Sequence, residues 1–358
     1  MKAERKKYYC NLIFCSSLVN KKYRFGDLFQ IIPLPDEFNL NYDQQTHFPL
    51  LIEYSIDLDK LKNINKKEFE GIEDFMSEST LQNNWLQMLI KLLSTFTNHH
   101  FFIYGIEQSW FMPLNSGLSR EELNKISSVW GFKTYHLEGL NKRFQITKLT
   151  DIDIDNIQEC THNEYYQRPN LDNSYVEITI SKYTNAMFEA FMQLNDNERK
   201  YFDSAVTLIY NGQEIKDKMR SLSFISFISS IETMTSYEFR NKQSEIEFEC
   251  NSCKTLKKSP FACPDCSSPI WGIGQQFKLY LKTYLTTDPK ANSVINKLYG
   301  IRSKIVHSGQ LLLGDNFIDW DRNTEQDKEY ESHISIMQYS KLSLVNWLLK
   351  NGINKIHS

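Results

Sequence analysis

Four cysteines, Cys250, Cys253, Cys263 and Cys266, fall within seventeen residues in the half of this chain that otherwise reads as helix. Their spacing is C-x2-C, nine residues, C-x2-C. Two such knuckles offer four thiolates to one tetrahedral zinc ion and leave no coordination position open, so the implied Zn2+ is structural and not catalytic. So short a segment has no core of its own, and the metal would staple it. Residues 246–249 and 270–273 read as the short strands that flank the knuckles. Cys10, Cys15 and Cys160 have no partner at ligand spacing and read as buried or free thiols. An odd total of seven cysteines, four of them clustered, argues against a disulfide framework and for a reducing, cytoplasmic setting.

A length of 358 residues suits two domains better than one core. Residues 1–181 mix strand and helix signals and read as an α+β domain. The basic head and interrupted apolar stretch through Tyr8, Tyr9, Asn11 and Phe14 suit a first strand better than a secretory signal. Leu50, Leu51 and Ile52, the run from 101 to 106, and the alternation of Val176, Ile178 and Ile180 also read as strands. Trp85, Met88, Leu89, Leu92, Leu93 and Phe96 recur at helical spacing. Ser119 with Glu122 forms a capping box for a further helix that stops near Gly131.

Residues 182–358 read as an all-α bundle of about five helices, interrupted by the cysteine insert at about 246–273. Met187, Phe188, Phe191 and Leu194 make the first stripe. Asn195 with Glu198 caps a second helix through Phe202, Val206, Ile209 and Tyr210, with Gly212 as its stop. Leu222, Ile225, Ile228 and Ile231 follow, then Phe277, Tyr280, Leu281 and Tyr284 before Asp288-Pro289, then Val294, Leu298, Ile301 and Ile305. Residues 311–331 read as an acidic loop, and Leu342, Val345 and Leu349 mark a last helix. No apolar run is long enough to span a bilayer, so the expectation is a soluble protein without a membrane partner.

The segment Leu298-Tyr299-Gly300-Ile301-Arg302-Ser303-Lys304-Ile305-Val306-His307-Ser308-Gly309 places Arg, four residues, then His at a helix end. It is similar to the LY-x-x-RS lead-in and Arg-x4-His signature of the Apea-like HEPN proteins. The earlier helix, with Ser221-Leu222-Ser223-Phe224 and then Ser230-Ile231-Glu232, resembles that family's acid-bearing helix, and some relatives carry a zinc-type insert between the two. The likeness covers about residues 183 to 350. It implies a ribonuclease that needs no catalytic metal, a homodimer formed through the HEPN domain, and a role as toxic effector in anti-phage abortive infection. The N-terminal half would then be a sensor for a phage-derived trigger. Ser303 stands where relatives often have Asn, Asp or His.

The chemistry stands without the resemblance. RNA carries its own nucleophile in the 2′-hydroxyl, so cleavage needs a proton acceptor and donor and a grip on the phosphate. His307 can exchange the proton, and Arg302 offers a planar fork to the phosphate. At a helix C-terminus the dipole favours a protonated His307, hence a general acid. Glu232, in an apolar stretch, could orient His307, pair with Arg302 or sit on the surface. Ser303, Lys304, Tyr299 and Asn296 are candidates for substrate contact. Five residues turn an ideal helix by about 140°, so either the helix unwinds before Gly309 or a two-fold dimer completes the site. Ile301 and Ile305 set the expected buried side.

From Cys250 to Gln310 nine basic residues face two acids, a field that suits a phosphate backbone unless the acids of 315–331 offset it. A non-catalytic module that binds RNA or a protein partner is the alternative, and DNA binding through the hairpin a third. Asp151, Asp153 and Asp155 lack the rest of a calcium loop, and His99-His100 reads as packing.

Overall fold

In a computed structural model the described residues are 6–35, 48–57, 74–103, 119, 122, 143–153, 158–167, 177–240, 245–249, 253, 255–285, 289–316 and 324–356. Their contacts divide into two units, one through residues 1–165 and 169–185, the other through 166–168 and 186–358.

The first unit rests on strands β1 (Lys6–Cys15), β2 (Tyr23–Phe25), β3 (Phe29–Pro33), β4 (Phe48–Asp57) and β5 (Phe101–Phe102). They pair antiparallel in the order β2-β3-β4-β1-β5. β1 and β4 match along their whole length, Lys6 opposite Asp57 and Cys15 opposite Phe48. Helix α1 (Asp74–Phe96) buries Leu86, Leu89, Ile90, Leu92, Leu93 and Phe96. Ser94 on α1 exchanges two hydrogen bonds with the backbone of Phe101, which fixes the turn into β5.

Glu53 is buried in β4, and a buried carboxyl is tolerated only when its oxygens find donors. Here Gln30 Nε2 donates at 2.7 Å, while the Thr150 N–H and hydroxyl both donate at 2.8 Å. That network fastens residues near 150 to the sheet. β6 (Gln158–Cys160) and β7 (Thr179–Ser181) form a separate parallel pair, with α2 (His162–Gln167) after β6. His99 is buried with Nδ1 2.8 Å from Ser17 Oγ, a packing histidine as its sequence position suggests. Ser119 and Glu122 make the expected capping box. Its Gly131 stop, residues 104–106, Val176 and Asp155 lie outside the described residues.

The second unit is helical. α3 (Thr184–Met192) leads to α4 (Asp196–Ile215), then α5 (Arg220–Arg240). Asn195 and Glu198 cap α4 reciprocally, each side chain bonded to the other's backbone N–H at 3.0 Å. α4 does not stop at Gly212 but runs one turn further. The glycine is there for proximity: a Cβ on it would stand 2.8 Å from the Phe227 ring of α5. On α5 the core face is Phe224, Phe227, Ile228, Ile231 and Met234, while Leu222 is exposed and Ile225 only half-buried.

Strands β8 (Glu245–Glu249) and β9 (Leu256–Pro260) form an antiparallel hairpin between α5 and α6 (Ile273–Tyr284). α7 (Pro289–Ser308) and a single turn, α8 (Leu313–Asn316), follow. The last helix, α9 (Thr324–Ile356), is far longer than the sequence suggests. Its first turns read as loop because residues 324–331 carry no buried apolar stripe, being exposed or half-buried; the buried Ser332, His333, Gln338, Ser340, Lys341 and Ser343 come after them. α9 packs on α4, α5 and α6, and α7 packs on α5 and α6.

Candidate active site and metal centre

Pro289 opens α7, a position where the missing N–H costs nothing. Ala291, Ile295 and Leu298 then form its buried stripe at steps of four and three. The next position on that stripe is Arg302, half-buried like Ile301 and Ile305 on either side of it. A charged residue thus continues the core-facing side of the helix, and packing carries it to α5.

Glu232 of α5 meets it there. Arg302 Nε lies 3.3 Å from Glu232 Oε1, and the two side chains are only 18% and 14% exposed. Solvent therefore screens this pair far less than a surface salt bridge. The carboxyl meets the charge without an aligned hydrogen bond at Oε1. Burial pushes the Glu232 carboxyl above its ordinary range, and Arg302 pulls it back part of the way. Tyr299, one turn before Arg302, has its ring centre 5.7 Å from the guanidinium carbon. Burial raises its phenol, with the Glu232 charge adding to that and Arg302 opposing it.

From this anchored guanidinium, NH1 reaches His307 Nε2 at 3.2 Å. A guanidinium has only donors, so Nε2 is the acceptor in this contact and any proton on the ring sits on Nδ1. The Nε2 lone pair is thus engaged by Arg302 in this arrangement. The reach also resolves the geometric objection. α7 stays helical through Ser308, Gly309 turns the chain at φ +64°, and the Gln310 N–H returns to the Lys304 carbonyl at 3.3 Å. Neither unwinding nor a second copy is needed for contact, because the long arginine side chain spans the angle between the two positions.

Arg302, His307, Glu232 and Tyr299 are thus brought together. Ser303 is half-buried and Lys304 exposed on the same turns. Asn296 is exposed but about 9 Å back along the axis from Arg302, outside the cluster. Two features near the site had no clear mark in the sequence. One is Gly274, on which Tyr299 sits. The other is the exposed apolar Val306 next to His307; Met219, Leu222 and Leu311, the last tied in through a Leu312 N–H to Ser221 Oγ bond, are also exposed, but at the start of α5, about 15 Å or more along the axis from Glu232.

In the hairpin, the strand that pairs with β8 lies between the knuckles, at Leu256–Pro260, and residues 270–273 are not a strand. Only an isolated Ala262–Pro269 bridge and an Ile270 N–H to Phe261 carbonyl bond close that side. Nine residues are enough for the chain to double back between Cys253 and Cys263, which the sequence pattern alone did not register. Cys250 lies outside the described residues, and among the described residues no three metal-binding side chains converge. The second knuckle forms a tight turn. Ser267 takes φ +57°, its N–H bonds the Cys263 carbonyl at 2.8 Å, and the Cys266 thiol is hydrogen-bonded to Ser268 and Cys263. Ser268, through its side chain and then its backbone, holds that thiol below its ordinary value, toward the thiolate a metal takes. Cys253 Sγ lies 2.9 Å from Thr255 Oγ1. Cys253, Cys263 and Cys266 have the donor chemistry that a structural zinc takes, but they are not gathered into one site in this structure.

Lys257, Lys258, Lys282, Lys297 and Lys304 are exposed on this unit, and Lys258 is paired with Glu247 at 3.4 Å. Asp315 does not face them as a counter-charge. Its two carboxyl oxygens accept from the Arg220 and Ser221 N–H groups at 2.6 and 2.8 Å, capping α5. Among the described residues no helix is long and apolar enough to cross a membrane. No family model, curated protein or solved structure matches this chain.

Proposed function

We propose that the chain is a metal-independent endoribonuclease of the HEPN type. The observation that carries the reading is the contact between Arg302 and His307, 3.2 Å apart at an exposed helix end, with Glu232 behind the arginine. As Arg302 turns from His307 to the phosphate, Nε2 of His307 is freed to take the proton of a ribose 2′-hydroxyl, and that oxygen attacks the adjacent phosphorus. The guanidinium, oriented through Nε by Glu232, donates to the phosphate oxygens as negative charge builds there. The proton held on His307 is then available to the departing 5′ oxygen. Products are a 2′,3′-cyclic phosphate end and a 5′-hydroxyl end.

Zinc, held by Cys250, Cys253, Cys263 and Cys266, would give the hairpin its stability and take no part in the chemistry. A homodimer is part of the proposal. Val306 beside the site, and Met219, Leu222 and Leu311 around the start of α5, expose apolar surface of the kind a second copy would cover. The N-terminal unit as sensor of a phage-derived trigger, the abortive-infection role and the cytoplasmic setting rest on the family resemblance alone.

The test is incubation of the purified chain with mixed RNA in excess chelator. Cleavage that survives the chelator and disappears in both Arg302→Ala and His307→Ala is the expected result. Intact RNA that is nevertheless retained, with affinity falling steeply with salt, would replace the nuclease by a binding module. Tighter retention of DNA than of RNA in competition would point to the hairpin as a DNA contact.

A further inference from the structure

Tyr299 sits where the base of the cysteine hairpin meets the arginine. The hairpin is anchored by Phe261, whose ring stacks on Phe239 of α5 at 4.8 Å and lies 6.1 Å from Trp271. From Trp271 the chain enters α6 through Gly272, Ile273 and Gly274, and Gln276 Nε2 ties back to the Trp271 carbonyl at 2.7 Å. The Tyr299 ring then rests directly on Gly274. A Cβ there would stand 2.7 Å from Cε1, 2.9 Å from Cζ and 3.1 Å from the hydroxyl oxygen, closer than non-bonded atoms approach. Phe277, one turn along α6, tilts against the same ring at 5.1 Å. Arg302 also approaches the ring, at 5.7 Å. A ring held by Gly274 and Phe277 on one helix and reached by Arg302 on the other has little freedom to stack on an incoming base.

We infer that Tyr299 is a positioning residue: seated on Gly274, it sets the angle of the Arg302 guanidinium toward His307, so the hairpin's base decides whether that pair is assembled. The inference rests on the reading of Arg302 and His307 as the RNA-cleaving pair. Its physical basis is that an arginine side chain has several rotatable bonds and one ion pair fixes only part of them. The aromatic face supplies a second constraint.

The test uses the full chain and two readouts. One is the Arg302 Nε–H resonance in a 15N-labelled protein, assigned by its loss in Arg302→Lys. The other is RNA cleavage resolved into kcat and KM. Gly274→Ala should shift the resonance and lower kcat tenfold or more, with KM changed less than twofold, as expected for a misplaced catalytic group. Tyr299→Phe keeps the ring and its seat and should leave the resonance where the parent has it. Tyr299→Leu removes the ring without crowding Gly274 and should reproduce Gly274→Ala, which covers the case in which the alanine variant does not fold. An unmoved resonance in Gly274→Ala or Tyr299→Leu overturns the inference even if the parent cuts no RNA, so its failure is separate from failure of the nuclease reading. Loss of cleavage in Tyr299→Phe with the resonance unmoved would also overturn it, by making the hydroxyl a substrate contact.

Discussion

His333 on α9 should make the helical unit acid-sensitive in a narrow window. The residue is 6% exposed, and its Nε2 lies 2.9 Å from Ser223 Oγ. Ser223 spends its own proton on the Gly212 carbonyl at 2.6 Å, so the imidazole is the donor to Ser223. The rings of Phe224 and Phe227 flank it. Burial first, then the Arg220 and Lys216 charges, lower its pKa from 6.5 to about 4 against the opposing pull of Asp217 and Asp315. Between those two values the unfolded chain binds a proton that the native one refuses, so stability is full above about 6.5 and falls as the pH drops toward 4. Below that both states are protonated and the loss stops. At about 1.4 kcal/mol for each pKa unit the whole loss is roughly 3 kcal/mol, a large part of a typical domain's 5–15 kcal/mol. His333→Gln keeps an N–H for Ser223 and does not titrate. Urea unfolding at pH 7.5, 6.5, 5 and 4 should show the parent losing that amount relative to the variant, a midpoint difference of about 1.5 M for an m-value near 2 kcal/mol/M. Parallel stability curves for the two proteins would refute the reasoning.

Lys341 offers the opposite edge of the pH range: burial, and then Lys216, depress its pKa from 10.5 to about 7, so native stability should rise with pH between those values. Lys341→Met should therefore be the more stable protein at pH 7, by at most roughly 5 kcal/mol, with the advantage gone near pH 10.5 in the same urea assay. Gly212→Ala should cost about 1–3 kcal/mol although alanine is the better helix former, because the new Cβ would stand 2.8 Å from the Phe227 ring; a gain in thermal midpoint would show that the ring yields freely. Native mass spectrometry should find one zinc per chain, and Cys263→Ser should lose it and lower the thermal midpoint; a metal-free parent with an unchanged midpoint would remove the zinc from the account.

Local signals in the sequence reached the local structure. The 3.6-residue apolar spacing found α1, α4 and α6, and Asn195 with Glu198 marked a helix start that both reciprocal hydrogen bonds bear out. Where a position's role depends on a distant neighbour, the same reasoning missed. Gly212 looked like a stop because the ring of Phe227 is fifteen residues away. The first turns of α9 looked like loop because residues 324–331 are polar and exposed or half-buried; what seats the helix lies further along, where His333 meets Ser223, 110 positions earlier.

For the candidate site, the Arg-x4-His spacing singled out Arg302 and His307 only together with the family resemblance, which also drew in Glu232; the chemistry of phosphate and proton transfer agrees with those side chains. Their separations were decided elsewhere. Which face of α7 turns inward depends on how Ala291, Ile295 and Leu298 pack. That packing alone puts Arg302 against α5, within 3.3 Å of Glu232, and leaves its far edge free to reach His307. Periodicity and capping act over a few residues along the chain, whereas a contact between two helices is set by the shape of the core they share.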